Sequence, residues 1–251
     1  MRHQGDCRTA EQVYSHGERV SGDLVRHVPD SRERLARPGR AFDFIQLHLP
    51  VSTFRRLLDV PCGIGRHSGP LAARGYEMLG IDRSETALAV ARRQYPEVEF
   101  QRHDMFAVRS VEESFDGVLC LWQSFGYGDS YQNRTLLGDM RSALRPGGRL
   151  VLDIYNADAV DMLPHDAIEE RAGRTVRTKR TRNGRRLRVD LEYSDSDERD
   201  VHEWEIYSPS DFEEMAIDIG LDVVVRCAWF DPAVPPSRDH LRMQFLLERR
   251  A

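Results

Sequence analysis

Residues 56–83 read RLLDVPCGIGRHSGPLAARGYEMLGIDR, and the alternation inside this stretch decides the fold class. Arg56-Leu57-Leu58-Asp59-Val60 is a short buried strand bounded by the turn Pro61-Cys62-Gly63. Ser68 to Arg74 reads as a helix stopped by Gly75, and Glu77 to Ile81 as a second strand ending at Asp82. The same rhythm continues outward. Ser84 is the expected N-cap of a helix through Gln94, Val98–Gln101 and Phe115–Leu121 read as strands, and Asn133–Leu144 as a helix. Pro146-Gly147-Gly148 is expected to end that helix before a strand over Arg149–Tyr155. Strands separated by helices predict an α/β fold, with a parallel sheet covered on both faces.

The flanks have a different texture. Residues 1–40 are polar and rich in Arg, with scattered apolar positions such as Val13, Leu24, Val25 and Val28 that suit a short helix. Arg37-Pro38-Gly39 reads as a break. Beyond Tyr155, residues 171–188 carry nine basic residues and no acidic one, with Asn183-Gly184 at their centre as a two-residue hairpin signal. Leu187, Val189, Leu191 and Tyr193 then alternate with charged residues, as in a half-buried antiparallel strand, and Val201–Tyr207 adds another. Ser208-Pro209-Ser210-Asp211 opens a helix that Gly220 ends, before strands over Asp222–Phe230 and Leu241–Arg249. This divides the chain into an N-terminal helical lid (1–41), a core (42–155), an antiparallel β cap (156–207) and a C-terminal completion of the core sheet (208–251).

Composition excludes several classes. The chain has 251 residues with 36 basic and 41 acidic side chains, a net charge of -5. That balance argues against the whole protein being a nucleic-acid binder. Mean hydropathy is -0.55. No run approaches the roughly 20 apolar residues of a spanning helix, and the first residues show no secretory h-region. Cys7, Cys62, Cys120 and Cys227 never take metal-ligand spacing, so no metal site is expected. A cytoplasmic protein with reduced thiols is the expectation.

In an open α/β sheet, ligands bind beyond the carboxyl ends of the strands. The first turn there holds Asp59, Gly63 and Gly65, and the two glycines let the backbone approach a ligand closely. The second strand ends in Asp82, an acid that suits both hydroxyls of a ribose. His103-Asp104-Met105 follows the third strand, offering an acceptor for an adenine amino group and an apolar cover for the ring. Together these turns describe an adenosine pocket. The dinucleotide fingerprint is incomplete, since Ser68 stands where a third glycine belongs, and no phosphate-binding GxxxxGK[ST] is present. Asp59 would repel phosphates and suits a cationic group. The residues favour an adenosine cofactor without phosphates and with a positive charge.

The segments LLDVPCGIGRHSGPLAARGYEMLGID (57–82), HDMF (103–106), FDGVLCLWQSFGYGD (115–129) and LRPGGRLVLDIYN (144–156), in this order, resemble the class I S-adenosylmethionine-dependent methyltransferases. The resemblance implies a Rossmann-like seven-stranded sheet whose last strand is antiparallel. It implies that Asp59, Cys62, Gly63 and Gly65 line the methionine portion and ribose. Asp82 would hold the ribose hydroxyls with Arg83 beside the adenine, and Asp104 and Met105 would fix that ring. Leu121 and Trp122 would flank the amino-acid end and the methyl group. Pro61 departs from the family, whose loop commonly has its first Gly there. In related small-molecule enzymes an N-terminal helix closes over the cofactor, which makes Tyr14 a lid residue.

The implied activity is methyl transfer from S-adenosylmethionine to an N, O or C atom of a small metabolite, of natural-product, amino-sugar or amino-acid type. Tyr14, Tyr127 and His165 are the candidate catalytic residues. His67 reads more naturally as a helix-start residue than as a base, and Cys62 as packing rather than a nucleophile. No Asn-Pro-Pro-Tyr tetrad follows the fourth strand, where Trp122-Gln123-Ser124-Phe125 stands. Three readings remain open. They are a small-molecule enzyme, an RNA or protein methyltransferase using the basic 171–188 run, and a catalytically silent cofactor-binding protein. A homodimer would use the β insertion, and no membrane contact is expected.

Overall fold

The computed structural model describes residues 31–250 except 112–113 and 172–173. The lid expected of residues 1–41 therefore lies mostly outside the described residues, and Tyr14 with it. Helix α1 spans Ser31–His48 and runs through Arg37-Pro38-Gly39, where the sequence predicted a break. Pro38 deletes one helical hydrogen bond. Ala41, Phe42, Phe44 and Ile45, all buried against the main sheet, anchor the part of the helix that follows Pro38.

The predicted alternation follows: β1 (Arg56–Asp59), α2 (Ser68–Ala72), β2 (Glu77–Asp82), α3 (Glu85–Gln94), β3 (Glu99–Arg102), a 3-10 turn (Met105–Ser110), β4 (Phe115–Cys120), α4 (Ser130–Ala143) and β5 (Leu144–Tyr155). Ser84 does cap α3, its hydroxyl accepting from the Ala87 N–H at 3.2 Å. Leu144 begins β5 rather than ending α4, and β5 passes through Pro146-Gly147-Gly148 as an irregularity in its pairing with β4. After an inserted segment come α6 (Pro209–Asp218), β10 (Leu221–Cys227) and β11 (Arg242–Arg249).

The main sheet has seven strands in the order β10-β11-β5-β4-β1-β2-β3. β11 is antiparallel to both neighbours, while β1, β2, β3, β4 and β5 pair in parallel. This is the Rossmann-like methyltransferase arrangement with the antiparallel last strand that the resemblance implied. The alternation of strand side chains divides the core into two faces. Leu57, Leu119, Val151 and Leu246 face α1, α2 and α3, whereas Leu58, Val118, Leu150 and Phe245 face α4 and α6. The carboxyl ends of β1 to β5 all emerge on one edge, and so does that of β10.

The insertion is a second sheet of four antiparallel strands: a short helix α5 (Ala157–Val160), then β6 (Asp166–Arg171), β7 (Arg174–Asn183), β8 (Arg186–Tyr193) and β9 (Arg199–Glu205). Asn183 pairs with Arg186, so the hairpin loop is Gly184-Arg185, one residue later than the sequence signal, with Gly184 taking the left-handed conformation at φ 58°. Val176, Leu187, Val189, Leu191 and Trp204 pack this sheet on Tyr155, Ala157 and Val160.

Candidate functional site

The turn after β1 is shaped by two left-handed glycines, Gly63 at φ 55° and Gly65 at φ 77°. They do different work. A Cβ on Gly65 would meet the Phe100 ring at 2.8 Å, so this glycine admits the packing beneath the loop. A Cβ on Gly63 would meet nothing within 4 Å, so the space above Gly63 is open. Cys62 is buried, and burial pushes its thiol well above the usual range, as expected of a packing residue.

Asp82, at the end of β2, turns back over this loop. One carboxylate oxygen accepts the Gly63 N–H at 2.9 Å and the other the Ser84 N–H at 2.9 Å. Each oxygen keeps a lone pair for a further donor. Burial raises the Asp82 pKa, opposed by these backbone donors. Asp59, at the end of β1, is fully buried and accepts the Ser68 hydroxyl at 2.6 Å, which ties it to the first residue of α2. Burial pushes its pKa up to about 7, against the Ser68 bond and with help from the Asp82 charge. A cation nearby would restore its ionised form.

Asp104 is exposed after β3 and accepts the Phe106 N–H at 2.9 Å, leaving its second oxygen outside that bond. Met105 is half-buried against the core, and Arg83 is exposed at the mouth between β2 and α3. Gly63, Asp82 and Asp104 thus stand at the carboxyl ends of the adjacent parallel strands β1, β2 and β3, with open space over Gly63 and the Asp82 carboxylate beside it. An adenosine-bearing sulfonium fits this donor and acceptor set.

The turn after β4 is less ordinary. Trp122 and Gln123 are both left-handed, at φ 60° and 55°, a conformation that costs about 1–2 kcal/mol for each non-glycine residue. Three elements pin the turn. From β5, Asp153 accepts the Trp122 N–H at 3.1 Å and its carbonyl accepts the Gln123 N–H at 2.9 Å. From the glycine loop, His67 Nε2 accepts the Trp122 indole N–H at 2.9 Å. From β9, the Trp204 indole N–H donates to the Gln123 carbonyl at 3.1 Å. The guanidinium of Arg66 lies 4.4 Å from the Trp122 ring centroid and that of Arg242 5.2 Å. His67 is buried, and burial with the charges of Arg66 and Arg242 lowers its pKa to about 3. It is a neutral acceptor, in keeping with a helix-start residue rather than a base.

Asp153 is the centre of a polar knot that the sequence reading missed. It accepts Arg242 Nε at 3.0 Å, Gln244 Nε2 at 2.8 Å and Gln123 Nε2 at 3.3 Å, and it pairs with a second Arg242 nitrogen. Gln244 in turn accepts the Phe230 N–H at 2.9 Å, within a second left-handed pair, Trp229 and Phe230. The available signal was a lone acid in the apolar run Leu150-Val151-Leu152-Asp153-Ile154.

The remaining candidates lie elsewhere. The Leu121 side chain is buried in the core face shared with α1. Tyr127 is half-buried, its ring 5.2 Å from that of Trp204. His165 is exposed beside the edge strand β6, its Nδ1 3.4 Å from the Arg180 carbonyl oxygen. Among the described residues no group of acids, histidines and cysteines could hold a metal ion, and no helix is long and apolar enough to cross a membrane.

Residues 57–148 match the family model described as a methyltransferase domain. Human glycine N-methyltransferase is 33% identical over 125 residues, 42% of each chain. Demethylmenaquinone methyltransferase of Renibacterium salmoninarum is 34% identical over 98 residues, 39% of this chain and 40% of its own. The chain thus spans less than half the length of these curated relatives. The sugar N-methyltransferase KedS8 of Streptoalloteichus superposes with a TM-score of 0.72 at 23% identity, covering 100% of both chains. Residues 57–148 therefore form a methyltransferase domain, and the chain around them has the Rossmann-like fold of the S-adenosylmethionine-dependent methyltransferases.

Proposed function

We propose that this protein transfers a methyl group from S-adenosylmethionine to an N, O or C atom of a small acceptor enclosed in part by its β insertion. The observation that carries this is the pairing of open space over Gly63 with the Asp82 carboxylate, held at 2.9 Å from the Gly63 amide and still able to accept two hydroxyls. Asp82 would bind the ribose, Asp104 and Met105 the adenine, and Asp59 the cationic end. S-adenosylmethionine, when bound, supplies a methyl group already activated on a sulfonium, so the protein's part is approach and alignment. Trp122 would bound the methyl-transfer side. His67 does not serve as a base there, since its Nε2 holds the Trp122 indole. The neighbours named for glycine and sugar N-methylation favour an amine that attacks as its free base, without a protein base.

The test has two arms. Calorimetry with S-adenosylmethionine should show binding by the wild type and a loss of at least about tenfold in Asp82→Ala, which removes both hydroxyl acceptors. Unchanged affinity would sink the ribose assignment. Methyl-labelled cofactor incubated with a metabolite extract should then label a small molecule, identified by mass. Binding without any labelled product would favour the silent-protein reading instead.

A further inference from the structure

The insertion and the glycine loop belong to different parts of the chain, yet both reach the same turn, one at its backbone and the other at its Trp122 side chain. Trp204 sits on β9, at 1% exposure, so its side chain is closed off from any acceptor. It is packed by Tyr155 at 5.3 Å and Tyr127 at 5.2 Å between ring centroids and stacked by His202 at 5.6 Å. A residue there for packing alone would not need a polar atom. Its indole N–H instead crosses to the Gln123 carbonyl at 3.1 Å. That carbonyl belongs to the left-handed pair Trp122–Gln123, a strained backbone that persists only where its surroundings over-determine it. On the far side of the turn, the Trp122 indole N–H rests on His67 of the glycine loop. A continuous chain of contacts thus runs from β9 through the Gln123 carbonyl and the Trp122 ring to His67. Glu205 reinforces the same join: it accepts Ser130 Oγ at 2.6 Å and Asn133 Nδ2 at 2.9 Å, and its N–H donates to the Gly126 carbonyl at 2.7 Å.

We propose that Trp204 is a positioning residue for methyl transfer: its hydrogen bond from the insertion to the Gln123 carbonyl holds the Trp122–Gln123 turn, and through it the Trp122 ring, in the shape the reaction requires. This rests on the proposed methyltransferase activity. The insertion then does more than cover the acceptor, since it completes the wall of the cofactor side through one turn. Because geometry rather than cofactor contact is at stake, the loss falls on turnover and spares cofactor affinity.

Trp204→Phe keeps an aromatic ring in the core and deletes the N–H donor together with part of the buried indole volume, which is why the turn is also read directly. The assay is label transfer from methyl-labelled S-adenosylmethionine into a fixed amount of metabolite extract, counted per cofactor-binding molecule by calorimetric stoichiometry. The expected result is about a fivefold fall in kcat, the worth of one neutral hydrogen bond, with the KM and Kd for S-adenosylmethionine within twofold of wild type. A second measurement reads the turn directly. In protein labelled with 5-fluorotryptophan, the fluorine resonance of Trp122, assigned with Trp122→Phe, should shift in Trp204→Phe. A variant that transfers at the wild-type rate per binding site overturns the inference, as does an unmoved Trp122 resonance or an equal loss in cofactor affinity. Wild-type protein that binds no S-adenosylmethionine would instead overturn the proposed function on which it rests.

Discussion

Two residues at the carboxyl edge show opposite responses to burial, and their titrations set the pH behaviour of the cofactor loop. Asp59 titrates near 7 in the folded chain because it is desolvated, so the fold holds its proton over a range where the unfolded chain has released it. The sign follows from linkage. Between the unfolded value near 4 and about 7, the native state binds more protons, so the Asp59 contribution to stability is present at low pH and is lost as pH rises through that window. His67, lowered to about 3 by burial and by Arg66 and Arg242, does the reverse, its contribution being lost as pH falls from about 6.5 towards 3. The two slopes oppose each other from about pH 4 to 6.5. In urea titrations the stability difference between wild type and Asp59→Asn should therefore decline as pH rises from about 4 to 7, at up to about 1.4 kcal/mol per unit. A difference that is flat with pH would show that Asp59 keeps an ordinary carboxylate pKa. The positions of these residues were legible beforehand, because glycines and acids directly after apolar runs mark turns at strand ends. That Gly65 serves packing while Gly63 faces open space was not, because it depends on where Phe100 arrives from β3.

The elements that position the site were read from pattern where pattern exists. The strands β1, β2, β4 and β11 and the caps of α3 and α6 followed their sequence signals closely, and the Ser208 hydroxyl does accept from the Asp211 N–H at 3.1 Å. Strand β6 carries Asp166-Ala167-Ile168, without an alternating apolar face, and its pairing with β7 is visible only in three dimensions. The paired left-handed residues after β4 and β10 were hidden for a different reason. Trp122, Gln123, Trp229 and Phe230 are not turn formers, and their conformation is imposed by the buried knot of Asp153, Gln244 and Arg242, whose members lie about ninety residues apart in the chain. Asp153 is fully buried, and its pairing with Arg242 is offset by the cost of desolvating both groups. Removing one partner leaves the other charge buried and uncompensated. Asp153→Asn should accordingly lower stability by about 3–5 kcal/mol in chemical denaturation, and it should weaken the coupling of the carboxyl ends of β4 and β5 to the amino end of β11. A loss below about 1 kcal/mol would mean that solvent reaches the pair and that the knot does not hold the two turns.

At the scale of the molecule, the net charge of -5 conceals a strongly basic segment, and the structure shows what that segment does. Seven cations of the 171–188 run face acids within salt-bridge distance. Arg174 meets Asp195 and Glu198, Arg177 meets Asp166, and Lys179 meets Glu192. Arg182 meets Asp161, Arg185 meets Asp211, Arg186 meets Glu203, and Arg188 meets Asp190 and Glu203. Arg180 is buried and donates to the Pro164 carbonyl at 3.0 Å. Exposed pairs of this kind add little stability individually, but they decide how the surface looks to a partner. The acids stand among the cations, on strands β6, β8 and β9, in the β8–β9 connection, after α5 and on α6, so a polyanion approaching the insertion meets a mixed lattice. This separates the small-acceptor reading from a nucleic-acid platform by a measurable slope. A free platform of seven cations on single-stranded RNA would give log Kobs against log salt a slope near about -5. The mixed lattice should give a slope shallower than about -2, with binding no tighter than the non-specific range of about 10⁻⁴ to 10⁻⁶ M. Titrating a labelled single-stranded RNA over a range of salt concentrations reads both quantities. A slope steeper than about -3 would mean that the acids yield their partners to phosphate, and the insertion would then have to be read as a polyanion-binding surface rather than as the enclosure of a small acceptor.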